Sequence, residues 1–142
     1  YEHISQAKDL TTSAAAQSGR AAYAEAGLTP DDIDLLQLYD CFTPALLIQI
    51  EDLGFCGKGE GGAWLASGIS QPGGSKPMNT HGGMLSYCHP GNPGAMFGLT
   101  EAITQMRGDG GDRQLPNMRT ALCHAQGGIM SSHATIILGV ED

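Results

Sequence analysis

One histidine stands directly before a proline, between two pairs of glycines, in the stretch NTHGGMLSYCHPGNPGAMFGLTE that fills residues 79–101. Pro90 fixes the backbone immediately after His89, so the imidazole is held in place. The neighbouring glycines turn with positive φ and let backbone come close to a ligand. A held imidazole, which gains and loses a proton near neutral pH, is what acid–base or nucleophile-activating chemistry needs. A histidine that only bonds its own loop is the other reading, and Pro90 with the adjacent glycines favours function.

A second group is Tyr39-Asp40-Cys41-Phe42. It falls where an apolar strand pattern meets a helix pattern, and ligands of open α/β sheets bind at strand C-termini. A thiol at a helix start gains thiolate character from the helix dipole. Read from local sequence alone, the same four residues serve equally well as packing. Cys123-His124, followed by Gly127-Gly128, sits in an apolar strand pattern and reads either as a buried pair or as a site feeding a glycine turn. Cys88 reads as a small buried filler. His133 reads as a cap or solvent-facing residue, His81 is intermediate, and His3 falls in a frayed end. Zinc ligation by Cys41, Cys88, His89, Cys123 and His124 is the weaker reading. No pair among them has the spacing of a structural zinc site, so no metal is expected.

These residues must be positioned by a chain of 142 residues, which suffices for one domain with a real core. Its 21 glycines exceed the average usage of about 7% and cluster in segments that read as loops. Net charge is −8 and the seven basic residues form no cluster, which argues against nucleic acid. No apolar run reaches the roughly 18 residues of a membrane span. Four cysteines without CxxC spacing read as reduced thiols of a cytoplasmic protein.

The hydrophobic pattern predicts a helix over 5–26 ending at Gly27, and a turn at Thr29-Pro30 with proline at its first position. It predicts a buried strand over 33–38 and a helix over 42–53, with Leu46, Leu47, Ile50 and Leu53 on one face. A long glycine-rich loop over 54–77 carries a short helix near 63–66. A strand follows over 76–80. The clearest helix covers 95–106, with Met96, Leu99, Ile103 and Met106 on one stripe. Strands over 120–125 and 133–139 close the chain. Helix–strand alternation implies a mostly parallel or mixed sheet with helices on its faces. No GxGxxG follows a strand, so a dinucleotide fold has no support.

Taken together the motifs resemble the C-terminal half of the thiolase superfamily. Asn79, Gly82-Gly83 and His89-Pro90-Gly91 resemble its N-x-x-G-G…G-H-P block, with Cys88 in place of the glycine before the histidine. Gln105-Met106-Arg107-Gly108 and Arg113-Gln114 resemble its Q-L-R-G…R-Q segment. Tyr39-Asp40-Cys41-Phe42 stands where the sterol-carrier-protein type of thiolase has H-D-C-F. The resemblance spans about 7–139. It implies an α/β half of about four to five strands, mostly parallel, with helices on both faces, and a fragment that lacks the first strand of that half.

The resemblance further implies an acyl-CoA enzyme that makes or breaks a C–C bond next to a CoA thioester. CoA thioester is then the substrate, and no cofactor is covalently held. His89 is similar to the residue that activates the nucleophilic cysteine, which in the family belongs to the N-terminal half. Cys41 corresponds to the second acid/base, and Tyr39 replaces its histidine neighbour. A phenol donates well but accepts poorly at pH 7, which points toward thiolase-like retro-aldolases as an alternative to acyl transfer. A non-catalytic lipid or acyl-CoA binding module is the third reading. Asn79, Gly82, Gly83, Tyr87, Cys123, His124, Gly127 and Gly128 are expected around the substrate. The implied partners are the N-terminal half of the same protein, a second copy in a homodimer, and a small OB-fold and zinc-ribbon subunit.

Overall fold

The computed structural model of the chain describes residues 2–141. Its main elements are α1 (Ala15–Ala26), β1 (Leu35–Gln37), α2 (Thr43–Asp52), α3 (Gly61–Ala66), α4 (Gly83–Ser86), α5 (Gly94–Met106), β2 (Thr120–Gly127) and β3 (Ser132–Gly139). The described strands form one mixed sheet in the order β1-β2-β3. β1 runs parallel to β2 through Leu35↔Ala121, Leu36↔Leu122 and Gln37↔Cys123. β2 runs antiparallel to β3 from Thr120↔Gly139 to Gly127↔Ser132.

The sheet is covered on both faces, because alternate strand residues point to opposite sides. Leu36, Leu122 and Ile137 pack with Ala15 of α1 and with Leu46, Ile50 and Leu53 on and after α2. Leu35, Ala121 and Leu138 pack with Leu99, Ala102 and Met106 of α5. This two-sided burial explains the adjacent leucines, Leu35 and Leu36, of β1. Asp34 sets the register at the start of the sheet: its Oδ2 accepts the backbone N–H groups of Arg119 and Thr120 at 2.8 and 2.9 Å.

Several sequence expectations need correction. The sheet has three described strands, not four to five, and its longer pairing is antiparallel, so it is not mostly parallel. The expected strand over 76–80 reduces to a single bridge between Met78 and Leu36. Asn79 adopts φ 49°, which ends extended pairing, and its side chain takes over the ladder. Its Oδ1 accepts from Leu38 N (2.9 Å) and its Nδ2 donates to Leu38 O (3.1 Å).

The first helix starts at Ala15, not near residue 5. Asp9 accepts the Thr11 N–H and hydroxyl, and Ser13 N–H and hydroxyl bind Asp52. These local side-chain bonds compete with helix formation. On α5 the apolar stripe is only half buried: Leu99 and Met106 pack against the sheet, Met96 and Ile103 are exposed, and Glu101, Ala102 and Gln105 face inward. A buried carboxylate is tolerated there because Arg113 donates to both Glu101 oxygens at 3.0 to 3.2 Å, with Thr80 and Gln105 adding bonds.

Candidate active site

Beyond β1 the chain runs through Leu38, Tyr39, Asp40 and Cys41 into α2, and three consecutive side chains take different tasks. Tyr39 is held by its backbone. The fully buried Gln49 of α2 accepts its N–H at 3.1 Å and donates to its carbonyl at 2.8 Å. Its ring meets His89 edge-on, with centroids 5.7 Å apart, and its hydroxyl lies 3.2 Å from His89 Nε2. Asp40 is buried and accepts the Met84 N–H at 2.7 Å, which anchors the start of α4, the element leading to His89. Cys41 Sγ receives a bond from Gln126 Nε2 at 3.0 Å.

Tyr39, Cys41 and His89 line one cleft of about 730 Å³ together with the β2–β3 turn, Gly127 and Gly128 included. Ile4, Phe42, Ile129 and Met130 add apolar lining, and Phe42 is 72% exposed. Gly128 has φ 60°, and a Cβ there would meet Ser131 Oγ at 2.2 Å, so the turn needs glycine. Burial holds the Tyr39 phenol above its ordinary range, with Cys41 adding a smaller push. Burial also raises the Cys41 thiol, opposed by hydrogen bonds from the Phe42 backbone and Gln126. Both groups therefore carry their protons at neutral pH. The cleft offers a phenol, a thiol and an imidazole within one apolar-lined space, a set able to accept and deliver protons at neighbouring atoms of a substrate.

The other sequence candidates are placed elsewhere. Asn79 is occupied by Leu38, and Gly82 donates to the Asn79 carbonyl at 2.8 Å. Gly83 lies against Asp40 with φ 66°, and a Cβ there would stand 2.2 Å from Asp40 Oδ2. Gly83→Ala should therefore cost more than about 2 kcal/mol, through positive-φ strain and loss of the Asp40 anchor. A urea midpoint within error of wild type would contradict that placement. Tyr87 meets His81 and Phe97 edge-on beside a smaller cavity of about 290 Å³ that includes Arg113. Cys123 is buried toward α5, and burial pushes its thiol up to about 12. Among the described residues no three His, Cys, Asp or Glu side chains gather as a metal site would need. No helix among them is long and apolar enough to cross a membrane.

His124 belongs to a buried polar chain. Its Nδ1 lies 2.9 Å from Thr135 Oγ1, which meets Ser18, and its Nε2 lies 3.1 Å from His133 Nδ1. Burial pulls His124 down to about 3, and His133 beside it lowers it further; burial also lowers His133. The unfolded chain takes up these protons near pH ~6.5, whereas the folded chain resists them. Stability should be full above about pH 6.5 and decline as pH falls below it. The thermal midpoint should drop between about pH 7.5 and 5, and His124→Asn should flatten that drop. An equal slope in the variant would refute this assignment.

Gln49 and Gln126 are the contributors that residue types alone did not single out. The available signal was a glutamine, Gln49, on the apolar face of a helix, and a second glutamine beside a glycine pair.

Fold and site together define a mixed α/β domain with a tyrosine–histidine pair and a thiol beyond the end of its parallel strand pair. Residues 1–140 match the family described as thiolase C-terminal domain-like, and the chain belongs to that family. It is 49% identical over 92 residues to 17-hydroxy-3-oxo-4-pregnene-20-carboxyl-CoA lyase of Mycobacterium tuberculosis (strain ATCC 25618 / H37Rv), covering 63% of this chain and 22% of the relative. It is 36% identical over 122 residues to acetyl-CoA acetyltransferase of Methanothermobacter thermautotrophicus, covering 85% of this chain and 32% of the relative. Among solved structures, the Ltp2-ChsH2(DUF35) aldolase superposes with a TM-score of 0.84 at 36% identity, over 94% of this chain and 34% of that one. The chain thus spans about a third or less of the length of these relatives.

Proposed function

We propose that this domain supplies the acid–base groups of a thiolase-like enzyme that cleaves a C–C bond next to a CoA thioester by a retro-aldol route. The observation that carries the reading is the 3.2 Å contact between Tyr39 Oη and His89 Nε2 on the wall of the cleft that also holds Cys41. A phenol alone is a weak base, but a phenol bonded to an imidazole can pass its proton on while taking another.

In this reading the β-hydroxyl of a 3-hydroxyacyl-CoA gives its proton to Tyr39 as Tyr39 gives its own to His89. The O–H electron pair becomes the new carbonyl π bond, and the Cα–Cβ bond breaks. Its electron pair moves onto the thioester as an enolate. Cys41 S–H protonates the α-carbon, and the proton on His89 returns to the thiolate through solvent. Atoms balance without oxidant, reductant or acyl-enzyme. The CoA lyase and the aldolase among the relatives support this route. Acyl transfer is the second reading, favoured by the acetyltransferase relative. The rest of a thiolase-like protein, a second copy and a second subunit are the proposed partners. The two-component name of the aldolase relative supports the last.

Intact-mass spectrometry of the full-length protein turning over a 3-hydroxyacyl-CoA tests the route. No covalent adduct is expected, and an acyl adduct that forms and decays during turnover would support acyl transfer. Cys41→Ala should lower kcat by about 10²-fold and leave KM within about twofold, because a proton donor acts in the transition state. Cys123→Ala should change little. The reverse pattern would move the proton donor from Cys41 to Cys123.

A further inference from the structure

Gln49, buried behind the cleft, and Gln126, on its wall, join the Tyr39 backbone to the Cys41 thiol in one line. Gln49 is completely buried, and its orientation is dictated by backbone. Its Oε1 accepts the Tyr39 N–H (3.1 Å) and its Nε2 donates to the Tyr39 carbonyl (2.8 Å). Those backbone groups cannot exchange roles, so the amide has only one workable orientation. Its second N–H then faces Gln126, whose Oε1 accepts it at 3.3 Å. With its oxygen used in this way, Gln126 must turn its Nε2 toward Cys41, and it does so at 3.0 Å from Sγ. Polarity thus passes from the Tyr39 backbone through two amides to a sulfur atom.

We propose that Gln49 and Gln126 form an amide relay that makes Cys41 Sγ an obligatory acceptor toward Gln126 and so turns the S–H proton away from that side chain and toward the cleft. A thiol whose S–H were spent on a protein carbonyl would be aimed away from substrate. The relay removes that option at Gln126, because the amide group it presents to sulfur has only hydrogens to offer. It also ties the thiol and the Tyr39 backbone to side chains of β2 and α2, so regular elements and not loop motion hold the two in place. Gln49 and Gln126 are therefore positioning residues, acting through Cys41 and Tyr39. The inference rests on the retro-aldol reading only for its catalytic consequence, since the orientation of the thiol follows from the hydrogen bonds themselves.

The test is the pH dependence of iodoacetamide alkylation at Cys41 in the full-length protein, followed by peptide mass spectrometry, with Cys56 and Cys88 as internal references. Gln126→Met removes the donor at nearly constant shape, and Gln126→Glu presents an acceptor to the sulfur. Loss of a hydrogen bond to the thiolate should slow Cys41 alkylation at about pH 8 by roughly tenfold in both variants. Cys56 and Cys88 should not change. kcat should fall while KM stays within about twofold. An unmoved Cys41 profile in a folded variant overturns the relay, whatever the activity. A moved profile with unchanged kcat upholds the relay and removes Cys41 from the proposed reaction. If both variants fail to fold, the infrared S–H stretch answers the question, taken as wild type minus Cys41→Ser. A band unshifted by an amide acceptor supports the relay, and one lowered as in an S–H bond to a carbonyl overturns it.

Discussion

Tyr39→Phe should reduce retro-aldol turnover of a 3-hydroxyacyl-CoA by roughly 10²- to 10³-fold, about 2.7–4 kcal/mol in the barrier. The substitution removes one oxygen and leaves the ring. The edge-on packing against His89 at 5.7 Å should survive. Lost with the hydroxyl is the atom 3.2 Å from His89 Nε2 that, in the proposed route, meets the substrate oxygen as charge changes there. The effect should fall on kcat, because the hydroxyl's contact strengthens as the substrate oxygen is deprotonated. Tyr39→His should shift the balance toward thiolysis, since imidazole both accepts and donates near neutral pH. Rates for Tyr39→Phe within about twofold of wild type would reduce the tyrosine to packing and favour ordinary thiolase chemistry.

His89→Ala should cost at least about 10²-fold in kcat, the usual loss for a general base. Here the loss is compounded, because Tyr39 is left without a partner to take its proton. The two substitutions should therefore be non-additive: Tyr39→Phe with His89→Ala should be hardly slower than the worse single variant. The structural alternative predicts the opposite, since losses at two independent packing sites add. His89 lies in an exposed segment between α4 and α5, so His89→Ala should leave the unfolding midpoint nearly unchanged. A midpoint lowered in step with the activity would make His89 a structural residue.

Much of this architecture is legible in the residues, and the failures have local causes. The helices over Thr43–Asp52 and Gly94–Met106 follow from their apolar spacing. The β2–β3 hairpin follows from two apolar runs around Gly127 and Gly128. Periodicity identified only part of the buried face of α5, Leu99 and Met106, because Arg113, twelve residues beyond Glu101, neutralises a carboxylate that pattern alone sends to solvent. Nor did it foresee that Asn79 would replace a strand with its own amide, since that depends on a φ of 49° at one residue. The site was half visible. Tyr39, Cys41 and His89 stand out by type and setting, but the 3.2 Å contact joins residues fifty positions apart. Gln49 and Gln126 were invisible because a glutamine has no distinctive chemistry until its partners are known.

The central claim is that this site moves protons to break a C–C bond next to a thioester without first forming an acyl-enzyme. The most direct measurement is turnover of one 3-hydroxyacyl-CoA by the full-length protein in deuterated water, with no free CoA added. The expected products are a carbonyl compound and a shortened acyl-CoA carrying one solvent-derived deuterium at its α-carbon, with the rate abolished or nearly so in Tyr39→Phe. Cleavage that appears only with a 3-ketoacyl-CoA and only when free CoA is supplied would contradict it.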